Sequence, residues 1–101
     1  MYPRRDFYRG VGLMLNGHYE IRTGVEIGEG GLSFDYPEVL PHGALGLVNF
    51  QIPGGSFVSI IIEIRGSEQD AKTGLYVVGC SFQNLKFDYK REIRTFVSAR
   101  A

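Results

Sequence analysis

The 101-residue sequence has little cysteine and histidine, no tryptophan and no net charge, and each absence excludes a class of protein. The single cysteine, Cys80, cannot form an internal disulfide, which indicates a reducing compartment such as the cytoplasm. With only two histidines beside it, no metal site is predicted. Lys plus Arg and Asp plus Glu both number 11, whereas proteins that coat nucleic acids carry a basic excess. We therefore expect no DNA or RNA partner.

The sequence also lacks a segment suited to a membrane or to export. The longest apolar run, Phe57 to Ile62, is interrupted by Ser59 and is far shorter than the roughly 20 residues that span a bilayer. No apolar stretch follows the N-terminal arginines, so no secretory signal is predicted. The length and the 44% of hydrophobic residues suit one globular domain over residues 1–101. We expect a cytoplasmic protein without membrane insertion.

Charge is neutral overall but uneven along the chain. Residues 1–9 carry three arginines against one aspartate, and residues 86–101 carry five basic residues against two acidic ones. The segment between them carries three basic residues against eight acidic ones. A small anion is therefore expected to bind near the two ends of the chain.

Glycine and proline divide most of the chain into short segments that are typical of β-strands. Asn16-Gly17 is a strong hairpin signal. Residues 18–27 alternate with a period of two, which predicts a half-buried strand with Tyr19 and Ile21 on its apolar side. Residues 66–74 are polar and are predicted to be mobile. The remaining strands are predicted at 11–15, 32–36, 44–52, 57–65 and 75–82.

Only residues 88–100 have a helical pattern. Asp88 is a good N-cap, and apolar residues from Tyr89 to Val97 recur at helical spacing. Six strands and one terminal helix predict a mainly β fold: a six-stranded antiparallel barrel over residues 11–85 with a C-terminal α-helix. Closure of the barrel removes the unpaired edges of a flat sheet. An immunoglobulin-like sandwich is the alternative, disfavoured by the helix and by the missing tryptophan and cysteine pair.

The densest polar feature is the N-terminal group Arg4, Arg5 and Arg9. Three neighbouring guanidinium groups repel one another, and an anionic ligand relieves that repulsion. Arginine binds phosphate and the O6 and N7 atoms of guanine in a bidentate manner, and it stacks on flat rings. A nucleotide is the ligand that fits these properties best. Taken alone, however, the local sequence favours a solvated basic end without a partner, because short basic clusters are common.

The second feature runs from Glu26 to Gly31 and reads Glu-Ile-Gly-Glu-Gly-Gly. Glycines allow a ligand to approach the backbone closely. The carboxylate of Glu26 is suited to accept hydrogen bonds from N1 and N2 of guanine. Taken alone, the segment fits better as a strand corner that requires glycine for its geometry. No helical pattern and no GK[ST] follow, which excludes a P-loop and a Rossmann fingerprint.

No nucleophile and base can be paired in this sequence. Cys80 stands in an apolar strand and is predicted to be a core residue. His18 and His42 are far apart and lie beside turns. Glu26 and Glu29 have no evident partner for acid–base chemistry. We therefore predict no catalytic residues and no enzyme activity.

Taken together, the two features resemble the PilZ domain family of bacterial receptors for cyclic di-GMP. The family's RxxxR motif corresponds to Arg5–Arg9, with Arg4 in front of it. Its [D/N]xSxxG motif corresponds to Glu26–Gly31, where Glu26 replaces Asp or Asn and Gly28 replaces Ser. Softer matches at the last strand and at residues 93–97 extend the resemblance over nearly the whole chain. The fold that the resemblance implies is a six-stranded antiparallel barrel with a C-terminal helix.

The resemblance implies a regulatory ligand, cyclic di-GMP, and no other cofactor. The ligand-binding residues that it implies are Arg4, Arg5, Arg9, Glu26, Gly28 and Gly31. Residues 1–10 would be a flexible arm whose ordering relays the ligand level to an unidentified protein partner in motility, adhesion or exopolysaccharide control. The missing hydroxyl at Gly28 removes one hydrogen bond, which costs about 1.5–3 kcal/mol. The alternative is a PilZ-like protein-interaction module that no longer binds the nucleotide.

Overall fold

A computed structural model describes residues 3–99 as six antiparallel strands that close into a barrel, followed by one helix. The order around the barrel is β1-β2-β3-β6-β5-β4, and pairing of β1 with β4 closes it. The predicted mainly β barrel with a C-terminal helix is confirmed. The elements are β1 (Arg4–Leu15), β2 (His18–Gly28), β3 (Gly31–Tyr36), β4 (Leu45–Gln51), β5 (Phe57–Gln69), β6 (Tyr76–Gln83) and α1 (Phe87–Ser98).

The predicted hairpin at Asn16-Gly17 joins β1 to β2. Both residues have positive φ, 51° for Asn16 and 74° for Gly17, as the tight turns between twisted antiparallel strands require. The register then runs without interruption from the pair Leu15–His18 to the pair Arg9–Gly24. Beyond a bulge it resumes at Asp6 and continues to Arg4, which faces Gly28.

The first strand begins at Arg4 and not at Val11, so the predicted strand boundary is wrong. Its early start has a packing reason: Phe7 is buried, and its ring packs edge-on against Phe50 with 5.5 Å between centroids. Residues 4–10 therefore belong to the barrel wall. Residues 1 and 2 of the predicted arm lie outside the described residues, as does Arg100 at the end of the predicted helix.

Strand β2 exposes two residues that the alternation places on its apolar side. Tyr19 and Ile21 are exposed, whereas Ile27 is fully buried. A register shift between Gly24 and Ile27 separates the two halves of the strand. After the shift, the other set of alternating positions faces the core. The sequence pattern was continuous across this irregularity, and the prediction for Tyr19 and Ile21 is wrong.

Strand β5 is longer than predicted and continues to Gln69. The pairs Gly66–Gly79 and Gln69–Tyr76 extend the β5–β6 hairpin through much of the segment that was predicted to be mobile. Its turn is closed by two backbone hydrogen bonds, from the Asp70 N–H to the Leu75 carbonyl and from the Gly74 N–H to the Asp70 carbonyl. This hairpin rises beside β3 and forms one wall of the cleft described below.

Helix α1 closes the barrel with Ile93 and Val97, which are buried in the common core. It begins after Lys86, and Asp88 lies in the first turn, so the predicted N-cap is wrong. A carboxylate in the first turn still interacts favourably with the helix dipole. Glu92 attaches the helix to the β4–β5 turn by accepting hydrogen bonds from the Ser56 N–H and hydroxyl, at 2.6 and 2.8 Å. Among residues 3–99, no helix is long and apolar enough to cross a membrane.

Candidate ligand-binding site

The two predicted motifs lie side by side because β1 pairs with β2. The antiparallel register sets Arg4 opposite Gly28 and Asp6 opposite Glu26. Residues that are distant in the sequence therefore meet at one end of the barrel wall. The hairpin turn lies at the opposite end of both strands. It is therefore the pairing of β1 with β2 along their whole length that brings the N-terminal arginines next to the glycine-rich segment.

A surface cleft of about 520 Å³ lies at this junction. Its volume falls within the range of about 300–1,000 Å³ that is usual for small-molecule sites. Of the six predicted ligand-binding residues, Arg4 and Glu26 line it. The lining residues are Arg4, Glu26, Ser33, Glu68, Gln69, Asp70, Ala71, Val77 and Gly79.

Ser33 also lines the cleft and was not predicted from the sequence. It is buried, and its hydroxyl oxygen accepts a hydrogen bond of 3.1 Å from the Glu26 N–H. The bond fixes the β2 backbone next to the Glu26 side chain. The signal was present in Leu32-Ser33-Phe34, because a polar residue between two buried apolar neighbours faces the outer side of a strand.

The cleft is acidic. Glu26, Glu68 and Asp70 contribute three carboxylates, and Arg4 contributes one guanidinium. Ionised carboxylates only accept hydrogen bonds, so these walls suit a ligand edge that is rich in N–H donors. No group of three or more His, Cys, Asp or Glu side chains within residues 3–99 is placed to hold a metal ion.

Arg5 points away from the cleft and contacts helix α1. Its Nη1 donates a hydrogen bond of 2.8 Å to the carbonyl oxygen of Phe96. The guanidinium carbon also lies 4.3 Å from the centroid of the Phe96 ring, which is a cation–π geometry. The first arginine of the RxxxR motif is thus held by the helix.

Arg9 lies on the other side of the bulge and lines a different surface groove. The register of β1 on β2 shifts between Asp6 and Arg9, and Tyr8 within the bulge has a φ of 41°. The side chain of Arg9 borders a groove that also includes Tyr19 and Phe57. The structure therefore separates Arg9 and Arg5 from the cleft that contains Arg4 and Glu26.

The two predicted glycines are required by close backbone contacts. A Cβ on Gly28 would lie 2.8 Å from the carbonyl oxygen of Pro3, so glycine allows the start of the chain to lie against β2. A Cβ on Gly31 would overlap the carbonyl of Cys80 on the neighbouring strand β6. Gly28 adjoins Arg4, whereas Gly31 is buried against β6.

Glu29 and Arg94 form a second attachment of helix α1 to the motif region. The guanidinium Nε and Nη2 of Arg94 donate hydrogen bonds of 3.0 and 2.9 Å to the two carboxylate oxygens of Glu29. These bonds lower the pKa of the buried Glu29 carboxyl, against the opposite effect of its burial. Glu29 and Arg94 were not predicted to pair, because only the packing of the folded helix brings them together.

Cys80 is a core residue, as predicted. Its thiol is buried and donates a hydrogen bond of 3.3 Å to the Leu32 carbonyl. Burial raises the pKa of the Cys80 thiol to about 12. A thiol that stays protonated at neutral pH is a poor nucleophile.

Comparison with known families and structures gives consistent matches. The family model described as the PilZ domain matches residues 2–99. None of the curated proteins compared with the chain matches it. Among solved structures, the Bacillus subtilis inhibitor of motility MotI/DgrA superposes with a TM-score of 0.79 at 12% identity, covering 95% of this chain and 47% of that one.

Two further structures were determined with c-di-GMP. MrkH from K. pneumonia superposes with a TM-score of 0.70 at 18% identity and covers 94% of this chain and 49% of its own. The PilZ domain of YcgR from Escherichia coli has a TM-score of 0.66 at 10% identity, with 95% and 86% covered. The chain thus spans about half the length of MotI and MrkH. At these identities the likeness to the three structures shows the fold.

Proposed function

Because the chain belongs to the PilZ domain family, we propose that it is a non-enzymatic receptor for cyclic di-GMP. The observation that carries this proposal is the β1–β2 register, which joins the arginine-rich segment to the second motif beside one cleft. The structures of MrkH and of the YcgR PilZ domain with c-di-GMP support the choice of ligand.

In this proposal the cleft binds a guanine base. The N1–H and N2–H₂ groups of guanine donate to the carboxylate of Glu26, and Arg4 donates to the acceptors O6 and N7. Ser33 holds the backbone of Glu26 in place through its hydroxyl. Glu68 and Asp70 also line the cleft, and their negative charges disfavour phosphate in this part of it.

The phosphates are then bound by the two arginines that lie outside the cleft. Arginine side chains are long, and both Arg5 and Arg9 belong to the strand that borders the site. Arg5 must leave Phe96 to reach the ligand, and Arg9 must turn out of its groove. Gly28 and Gly31 act indirectly in this proposal: Gly28 lets the chain at Pro3 lie against β2 next to Arg4, and Gly31 lets β3 pack closely on β6 beside the cleft.

The same movement relays the signal. Helix α1 is attached to the motif region by the Arg5–Phe96 contact and by the Arg94–Glu29 pair. Residues 4–10 already belong to strand β1, so ligand binding removes the first attachment and repositions the side chains of this segment around the nucleotide. We propose that a protein partner in the cytoplasm recognises the changed surface of this segment and of α1, and that the output is motility or biofilm regulation.

A second candidate function is a protein-interaction module that does not bind the nucleotide. Three observations favour it: Arg5 is engaged by its own helix, the cleft holds three carboxylates, and Gly28 replaces the serine of the family motif. The two candidates differ in one measurable property, which is affinity for cyclic di-GMP.

Isothermal titration calorimetry of the full chain with cyclic di-GMP separates them. We expect binding that weakens as salt rises and that falls about tenfold or more in Arg4→Ala and in Arg5→Ala. Arg65→Ala is the matched control, because Arg65 is exposed and its guanidinium pairs with Glu63. A flat trace at high ligand concentration would favour the interaction module, and equal losses in all three variants would remove the assigned site.

A further inference from the structure

We propose that two copies of this chain associate through an exposed apolar face on the outer side of β2, β1, β4 and β5. Six side chains form this apolar face. All six are large, hydrophobic and exposed, although they belong to strands whose other sides are buried in the core. They are Met14, Tyr19, Ile21, Leu45, Phe57 and Ile61.

The strand register joins three members of the apolar face through Leu47, which is half-buried: Tyr19 pairs with Met14, Met14 with Leu47, and Leu47 with Ile61, so one row of apolar side chains crosses four neighbouring strands. The other three members adjoin this row: Ile21 and Leu45 lie two residues along their strands from Tyr19 and Leu47, and Phe57 borders a groove that also includes Tyr19 and Ile21. Side chains directly opposite each other on adjacent strands have Cβ atoms about 4.5–5.5 Å apart and contact one another. The row is therefore a single surface and not a set of scattered exposed residues.

Tyr19 is held flat on this surface. A Cβ on Gly12 would overlap the Tyr19 ring, so the ring lies across β1 where glycine leaves room for it. Its hydroxyl donates a hydrogen bond of 3.2 Å to Oδ1 of Asn49 on β4. An aromatic side chain that is fixed before binding loses little conformational entropy on association, and such residues are common anchors of interfaces.

The area of the apolar face is sufficient for a dimer. Its members are 37% (Met14) to 69% (Phe57) exposed. With about 150–250 Å² for a large side chain, six roughly half-exposed residues present about 600 Å². The largest apolar patch on a typical monomer is about 300–600 Å², whereas specific interfaces begin at about 1,200 Å² in total. Two copies of this face reach that lower limit, which corresponds to a weak dimer.

The charge distribution favours a second copy as the occupant. The charges that border the apolar face stand at its edges: Arg9 beside Phe57, Lys86 beside Ile61 and Glu63 opposite Leu45. Such a centre offers no charge by which to select a partner of opposite sign. It also creates no repulsion when the same face is presented by another copy across a twofold axis.

Sedimentation velocity of the full chain from about 1 to 300 µM tests the proposal. We expect a monomer–dimer equilibrium with a dissociation constant on the order of micromolar to tens of micromolar. Ile21→Lys and Ile61→Glu should each weaken it about tenfold or more. Val39→Lys is the control, since Val39 is 59% exposed but lies outside the apolar face. Circular dichroism confirms that each variant is folded, which is expected for exposed positions.

Three results would overturn the proposal: a monomer throughout this range, a dimer that Ile21→Lys and Ile61→Glu leave unchanged, or equal weakening by Val39→Lys. Binding of the chain to phosphatidylcholine vesicles provides the other arm of the test. A monomer whose vesicle binding is lost in Ile21→Lys and Ile61→Glu would assign the face to lipid and not to a second copy.

Discussion

The guanidinium of Arg5 lies against Phe96 of helix α1, with Nη1 2.8 Å from the carbonyl oxygen and the central carbon 4.3 Å from the ring centroid. A single helix residue, Phe96, therefore binds the side chain of Arg5, the first arginine of the RxxxR motif. In the receptor proposed above, helix and nucleotide compete for this guanidinium. The free energy that holds Arg5 on Phe96 must weaken the apparent affinity for the ligand.

Phe96→Leu should tighten the binding of cyclic di-GMP about threefold to tenfold. Leucine keeps an apolar side chain on the half-buried face of α1 but removes the ring, and a cation–π contact contributes about 0.5–2 kcal/mol. Calorimetric titration measures the change. Phe87→Leu, on the same helix but with an exposed ring, should leave the affinity unchanged. Equal or weaker binding by Phe96→Leu would show that Arg5 does not exchange between helix and ligand.

Arg94→Ala should lower the free energy of unfolding by about 1–2 kcal/mol. The substitution leaves the buried Glu29 carboxylate without its bidentate partner, and the exposure of Arg94 keeps the loss below that of a fully buried pair. Urea unfolding followed by circular dichroism measures it. Arg91→Ala, at an exposed helix position, is the matched control and should change stability by less than about 0.5 kcal/mol. Similar losses in both variants would contradict a specific role for the Glu29 pair.

The stabilisation from Glu29 and Arg94 should disappear in acid. Hydrogen bonds from Arg94 hold the pKa of Glu29 below its ordinary value of 4.5 in the folded protein. A carboxyl whose pKa is lowered on folding contributes its full stability above the unfolded pKa and loses it as the pH falls through the folded pKa. The difference in unfolding free energy between the native chain and Arg94→Ala should therefore be constant above about pH 5 and shrink below about pH 4.5.

Urea titrations at a series of pH values check this dependence. The same comparison in a Glu29→Gln background is the control, because glutamine does not titrate and the difference should then be independent of pH. A difference between the native chain and Arg94→Ala that grows on acidification has the wrong sign for a lowered carboxyl pKa and would contradict the assignment.

Gly28→Ser should bind cyclic di-GMP about tenfold or more tightly than Gly28→Ala. Either Cβ displaces Pro3 from β2, since it would lie 2.8 Å from the Pro3 carbonyl oxygen. The two variants then differ only in the hydroxyl, and a hydrogen bond to a charged group contributes about 1.5–3 kcal/mol. Calorimetry measures both affinities, and hydrogen exchange at residues 3–6 reports the displacement. Equal affinities would mean that the backbone at position 28 does not direct a hydroxyl at the ligand.

The barrel was predictable because its determinants are local. The Asn16-Gly17 turn and the glycine and proline residues that divide the chain into short strands need no knowledge of distant contacts. The start of β1 was missed because Arg4 and Arg5 suggest a solvated end, whereas strand pairing uses backbone groups whatever the side chain. The buried Phe7 was the available signal within that segment. Tyr19 and Ile21 were misplaced because a bulge shifts the register without any mark in the composition.

The candidate site was predictable only in part. Proximity of Arg4 to Glu26 follows from a hairpin that brings the far ends of two long strands together. The engagement of Arg5 by Phe96 depends on where the helix packs, and the Arg94–Glu29 pair depends on the same packing. These contacts join residues that are far apart in the chain, and no spacing rule in the sequence encodes them. Ser33 was missed for a different reason, since its serine hydroxyl becomes significant only once the adjacent strand is known.

The most direct test of the receptor assignment is a titration of the ¹⁵N-labelled full chain with cyclic di-GMP, followed by backbone amide chemical shifts. We expect saturable shifts in three places: at residues 4–9 of β1, at residues 26–33 together with Gly79 beside the cleft, and at Phe96 and its neighbours, where Arg5 departs. Amides of Asn16 and Gly17, at the opposite end of β1 and β2, should not move. Unchanged spectra at saturating ligand, or shifts confined to residues away from the β1–β2 junction, would contradict it.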